Sequence, residues 1–242
     1  MIPHVGPYTQ IIFLGCLFLA FSAGAQGDIP IGNWRLHLSY NNIRKVEVAP
    51  EKVFAASESG ILIFSSQGQS LSTINKLNGL GSTDITSLCY DNTRDQLLVG
   101  YETGDLDIIQ SAAITNFSRL RGADVTTSKR INHISTREDF AYLSTDYGVV
   151  TFDLQQLEIQ ETWRDLGRGG EGLPVYQSTS IRDSIYLATA NGVLAGYMGD
   201  NLLDYNNWER FDEGNFSGPI RAGVPLNVKI YATGPTGVYR LG

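Results

Sequence analysis

The stretch "YLSTDYGVVTFDL" (residues 142–154) reads as two short strands folded about a turn at Gly148. Val, Tyr, Phe and Thr fill its arms, as half-buried strands require, and glycine at the turn takes a positive φ at no steric cost. Forty-four residues on, "YLATANGVLAGY" (186–197) repeats the pattern with Gly192 in the same place. Aligned on that glycine, "FAASESGILIF" (54–64), "LLVGYETGDLDII" (97–109) and "IYATGPTGVYRL" (230–241) complete a set of five. The shared glycines are Gly60, Gly104, Gly148, Gly192 and Gly237, spaced 44, 44, 44 and 45 residues apart. Such a period, with four short strands per unit, is the signature of a β-propeller. The chain is therefore predicted to be all-β, with about five four-stranded blades.

Each unit parses into those strands. Inner strands are expected at 43–49, 85–91, 131–137, 177–183 and 220–226, each followed by a polar turn such as "DNTRDQ" (91–96). The two hairpin arms come next. Outer strands are expected at 73–79, 116–122, 162–168 and 207–213, each with an aromatic or branched residue and an apolar one three positions on. Trp163 and Trp208 fall in the first of these positions and are expected to pack on the neighbouring blade. No segment carries a long 3.6-residue apolar period, so helix should be nearly absent. "NWRLHLS" (33–39) reads as a further outer strand carrying Trp34, while unit five stops after its third strand at Gly242. Together these ends would make one blade and hide two sheet edges. Two closures are open: a five-bladed ring, or the front part of a larger propeller. The abrupt end favours the second.

The first 25 residues are set apart as an export signal. "IIFLGCLFLAF" (11–21) is an apolar run of signal-peptide length, and Ala23 and Ala25 form an A-x-A cleavage pattern before Gln26. The run is short for a membrane span. The propeller domain is then 26–242. Cleavage removes Cys16 and leaves Cys89 alone, so no internal disulfide is available to this exported chain. Cys89 lies in "ITSLCYD" and reads as a small buried hydrophobe. A formal charge of −7 argues against nucleic-acid partners and against attraction to anionic lipid.

The unit "ITSLCYDNTRDQLLVGYETGDLDII" (85–109) resembles the two-component regulator propeller repeat, with Leu97, Val99 and Gly100 in its "LWIGT"-like strand. The export signal, "IGNWRLHLSYNNI" (31–43) and "NKLNGLGSTDITSLCYD" (75–91) resemble something narrower. They are similar to the N-terminal propeller of PorZ-type proteins of the Bacteroidota type IX secretion system. The resemblance implies a component of the attachment complex, at the outer-membrane cell surface or in the periplasm. It further implies work beside a sortase-like protease and an outer-membrane barrel shuttle, and binding of anionic lipopolysaccharide. Family members continue into a second propeller and a C-terminal β-sandwich.

Chemistry is sparse in the residues themselves. There is no G-x-S-x-G, Walker A, HExxH or CxxC, and the histidines and cysteine do not make a zinc site, so no catalytic, metal or cofactor residue is nominated. "DNTRDQ" lacks the glycine and distal glutamate of a calcium loop and reads as an Asx turn. Binding is the more natural use, at the face where hairpin turns meet the blade-to-blade connections. There, Arg121, Lys129, Arg130 and Arg168 fall in two successive connections, 121–130 and 167–176. Arginine pairs bidentately with phosphate or carboxylate, so the group suits an anionic surface polysaccharide, against the plainer reading of solvated charge. Tyr101 and Tyr147, at hairpin turns, are candidates to stack on sugars. The leading reading is a non-enzymatic docking module of type IX secretion. The alternatives are the periplasmic sensor of a hybrid two-component regulator and a propeller glycan lyase or hydrolase.

Overall fold

The computed structural model describes residues 39–111, 113–120, 126–227, 229–234 and 236–241. The expected export signal, the Trp34 strand and Gly242 lie outside the described residues. Residues 39–242 form one compact unit of five antiparallel sheets. The first blade is β1 (Ile43–Val48), β2 (Lys52–Ser57), β3 (Gly60–Ser65) and β4 (Ser70–Ile74). The second is β5 (Ile85–Asp91), β6 (Gln96–Tyr101), β7 (Leu106–Gln110) and β8 (Ala113–Phe117). The third is β9 (Ile131–Arg137), β10 (Phe140–Thr145), β11 (Gly148–Asp153) and β12 (Glu158–Trp163). The fourth is β13 (Val175–Ile181), β14 (Ser184–Thr189), β15 (Gly192–Tyr197) and β16 (Trp208–Phe211), and the fifth has three strands, β17 (Gly223–Leu226), β18 (Lys229–Gly234) and β19 (Gly237–Arg240). Within each sheet the strands pair in chain order, and the inner strands β1, β5, β9, β13 and β17 succeed one another around the axis. This is the β-propeller that the repeat predicts. Helix among the described residues is confined to three-residue 3-10 turns.

Cores lie between blades, which explains the composition of the middle strands. Successive side chains of a strand point to opposite faces. Leu97, Val99 and Tyr101 pack toward the first blade, whereas Leu98 packs toward the third. Tyr142 and Val149 join the core shared with the fourth blade, and Leu143 and Val150 the one shared with the second. A sheet covered on both faces needs apolar residues at every position rather than at alternate ones, hence "QLLVGY" with all six residues buried. Trp163 and Trp208 meet edge to face, centroids 5.6 Å apart, each only 4% exposed. Both tryptophans therefore pack between blades, as expected.

The outer-strand boundaries need correction. β4, β8 and β12 end at the aromatic or branched residue with which the expected windows nearly begin, because that residue pairs beside the hairpin turn: Ile74 with Ile61, Phe117 with Leu106, Trp163 with Val149. In the fourth blade Phe211, not Trp208, takes this place, opposite Val193. Trp208 sits at the other end of its strand and donates from Nε1 to the Leu202 carbonyl at 3.0 Å. The inner strands of blades four and five also shift, to Val175–Ile181 and Gly223–Leu226.

The glycines hold one strand position in four blades and are displaced in one, and of those four Gly60, Gly148 and Gly192 have a positive φ whereas Gly237 does not. Gly60, Gly148, Gly192 and Gly237 each open the third strand after a two-residue turn. In the second blade the turn holds three residues, and Gly104 (φ +82°) closes it ahead of Asp105. A type I turn followed by a left-handed residue is the usual three-residue solution. The residue in strict register is the one before the turn: Ser57, Tyr101, Thr145 and Thr189, 44 apart throughout. In three blades its hydroxyl clasps the turn. Ser57, Thr145 and Thr189 donate to the carbonyls of Gly60, Gly148 and Gly192 at 2.9–3.1 Å and accept the amides of Ser59, Tyr147 and Asn191.

Cys89 lies on β5 with its Sγ 4.0 Å from the Thr136 hydroxyl, and burial, reinforced by Glu47, pushes its thiol up to about 12. At pH 8 the thiolate population then falls about a thousandfold relative to an ordinary protein thiol, partly offset by the greater nucleophilicity of a more basic sulfur. Alkylation of Cys89 by iodoacetamide should run about fiftyfold slower in the native than in the urea-unfolded protein. Equal rates would place the thiol in solvent.

Candidate functional site

A β-bulge near the start of four of the inner strands shapes the mouth of the central channel. The ladder skips one residue in each, at Arg44, Thr86, Asn132 and Tyr176. Bulges re-aim side chains, and here three of the four turn a residue toward the next blade. Thr86 donates to the Ile131 carbonyl at 2.6 Å, and Asn132 donates to the Val175 carbonyl at 3.0 Å, so each ties its blade to the next. The Arg221 guanidinium lies 4.1 Å from the centroid of the Tyr176 ring, within cation–π range. Arg44 pairs instead with Glu58 across its own hairpin.

Arg44, Lys45, Asp84, Glu102 and Arg130, with Ile85 and Thr86, line an opening of about 230 Å³ at this mouth. Three cations and two carboxylates line it, with Arg44 already paired to Glu58 at its edge, in a chain whose net charge is −7. Arg130 donates to Glu102 at 2.7 Å, with both side chains nearly half exposed. Exposed pairs of this kind hold by less than about 1 kcal/mol and exchange readily for a better anion. Arg44 and Lys45 escape sequence reading because they sit within a strand. Only the bulge brings them to the mouth.

The residues singled out in the sequence are placed unequally. Arg130 belongs to this opening. Lys129 precedes it, half-buried, and Arg121 lies outside the described residues. Arg168 is held elsewhere, in a bidentate pair with Asp212 at 2.7–3.1 Å in the connection after the fourth blade. Tyr101 is not at the rim. It is fully buried, and its hydroxyl donates to Asp107 at 2.6 Å, so no ring face is left for a sugar. Tyr147 is 5% exposed, its ring packed in the core between blades two and three with Arg164 at 6.0 Å. Both tyrosines point inward because the residue before the turn, and the second residue within it, face the neighbouring blade. The "DNTRDQ" turn is an Asx turn, in which the Asp91 carboxylate accepts the Thr93 amide at 2.9 Å together with Arg94 and Gln96.

The model of the N-terminal β-propeller domain of PorZ, of the type IX secretion system, matches residues 53–209. No curated sequence relative matches. Among solved structures, the chain is similar to PorZ of Porphyromonas gingivalis, described as an essential surface component of the type IX secretion system. That likeness has a TM-score of 0.71 at 21% identity over 82% of this chain. It is also similar to the extracellular domain of a hybrid two-component system, BT4673, of B. thetaiotaomicron, with a TM-score of 0.65 at 13% identity. The chain spans 26% of the PorZ structure and 27% of the BT4673 structure.

Proposed function

Because the chain belongs to the PorZ N-terminal β-propeller family of the type IX secretion system, we propose that it is an exported, non-enzymatic docking module of the attachment complex. It works at the outer-membrane surface beside the sortase-like protease and the barrel shuttle. Anionic lipopolysaccharide is its ligand, taken at the channel mouth. The observation that carries this reading is the convergence of Arg44, Lys45 and Arg130 on one opening of an otherwise acidic chain. A phosphate or carboxylate there displaces Glu102 from Arg130 and gains the unengaged geometry of a bidentate arginine contact.

Titration of the full chain with anionic lipopolysaccharide and with a neutral polysaccharide tests this. The anionic form should bind at least about tenfold tighter, and its affinity should fall with salt. A triple Arg44→Ala, Lys45→Ala, Arg130→Ala variant should lose that preference while keeping its β-sheet circular dichroism. Equal binding of both polysaccharides, or an unaltered triple variant, would remove the mouth as the site. Cleavage of either polysaccharide would overturn the non-enzymatic reading.

A further inference from the structure

A second opening lies at the other end of the strands, between blades three and four, and has a volume of about 400 Å³. It is bounded by the β9–β10 turn and by the connection from β15 to β16, so it faces away from the glycine hairpins. Two departures from the repeat create it. The outer strand β12 carries a bulge at Gln160, where the Thr151 hydroxyl enters the ladder, accepting the Glu161 amide at 3.0 Å and donating to the Glu161 carbonyl. The ladders to the other three outer strands run without such a break. The β15–β16 connection runs over ten residues, 198–207, where the corresponding connections in the three preceding blades take four, two and four. This long connection is built rather than loose: Met198 donates to the Asp183 carbonyl at 2.8 Å, and Asn207 donates to the Asn201 carbonyl at 2.9 Å.

The chemistry of the cleft is two-sided. Phe140, Tyr142, Trp163, Met198 and Leu202 form an apolar floor. Glu138, Glu161 and Asp200 stand exposed around it. The one cation of the lining, Arg137, lies 3.5 Å from both Glu138 and Asp183, while its Nη1 is buried without a hydrogen-bond partner. The lining sets three carboxylates against one guanidinium, so its net charge is negative and repels an anion. A neutral polyol would leave the apolar floor against hydroxyl groups. We propose that this cleft binds a small organic cation, a primary or quaternary amine on an aromatic or branched apolar frame. The volume is in the range of small-molecule pockets, and methionine with aromatic rings beneath carboxylates is favourable ground for such a group. The site is independent of the channel mouth and opposite to it in charge.

Phenethylamine and its isosteric anion phenylacetate are the probes, added to the full chain. The sequence has two methionines, Met1 and Met198, so ¹³C-methyl labelling places one reporter in the cleft and only one other in the chain. Phenethylamine should shift the Met198 methyl saturably and bind about tenfold tighter than phenylacetate. A Glu161→Gln, Asp200→Asn variant, which removes two charges and keeps an amide oxygen to accept the Trp163 Nε1–H that Glu161 accepts at 3.0 Å, should weaken the amine about tenfold and leave phenylacetate unchanged or tighter. Equal affinity for the two probes overturns the proposal. So does the absence of a saturable Met198 shift up to about 10 mM amine, or an amine affinity that the double variant leaves intact.

Discussion

Gly148→Ala should destabilise the protein by about 3 kcal/mol or more, whereas Gly169→Ala should cost about 1. Both glycines have positive φ, +130° and +74°. The surroundings differ. A Cβ on Gly148 would sit 2.0 Å from the Trp163 carbonyl oxygen, and backbone at that distance has to move. A Cβ on Gly169 meets nothing within 4 Å, so only the left-handed conformation is penalised. Moving Trp163 also disturbs its edge-to-face contact with Trp208, so the damage reaches the core between blades three and four. For a unit of this size the larger loss corresponds to a fall of about 10 °C in Tm. Thr145→Val, which removes the hydroxyl clasp of the same turn, should cost about 1 kcal/mol. Urea melts of the three variants decide the matter. If Gly148→Ala falls within about 1 kcal/mol of Gly169→Ala, the close approach of the outer strand is not what fixes this glycine.

That close approach explains why the repeat was legible from one residue type. Gly60 and Gly192 stand in the same relation to the Ile74 and Phe211 carbonyls, each 2.3 Å from a would-be Cβ. Three positions therefore need glycine for two reasons at once, turn geometry and strand packing, and the chain repeats it at a fixed interval. Gly104 shows the limit of the signal. Its spacing is right, yet its turn is one residue longer, and the S/T-x-x-G pattern of the hydroxyl clasp, carried by Gly60, Gly148 and Gly192, is absent at Gly104 as it is at Gly237. Outer strands were harder to place. Their pairing partner lies across a connection of variable length, so a tryptophan three residues out of register looked equivalent. The channel mouth was least legible, because Arg44 and Lys45 are placed by a bulge, and a bulge leaves no composition mark on "IRKVEV". The cleft between blades three and four was unreadable for a related reason. It arises where the repeat fails, at one extra residue in β12 and one long connection, and alignment of what recurs passes over both.

Acid should weaken the fold through His133 by up to about 3 kcal/mol between pH 6.5 and 4. His133 lies on the inner strand β9, its Nδ1 buried without a hydrogen-bond partner. Burial, and secondarily the charge of Lys45, lowers its pKa from 6.5 to about 4. Between those values the unfolded chain carries the proton and the folded chain does not. Stability is therefore full above pH 6.5 and declines by about 1.4 kcal/mol per pH unit as the pH falls toward 4. Glu47 acts in the opposite sense, since burial raises its carboxyl above 4.5 and the folded state takes up its proton first. The wild-type curve alone is thus a sum of contrary slopes. The difference between wild type and His133→Gln isolates the histidine, because the acids titrate in both proteins. Denaturant midpoints at pH 4, 5, 6 and 7 should show the variant gaining on the wild type as acid is added, with the relative gain concentrated below pH 6.5. A difference independent of pH would mean that His133 reaches solvent and takes its proton in the folded state. The channel flank of β9 would then be wet, and the histidine and Lys45 would share an aqueous lumen instead of a packed wall.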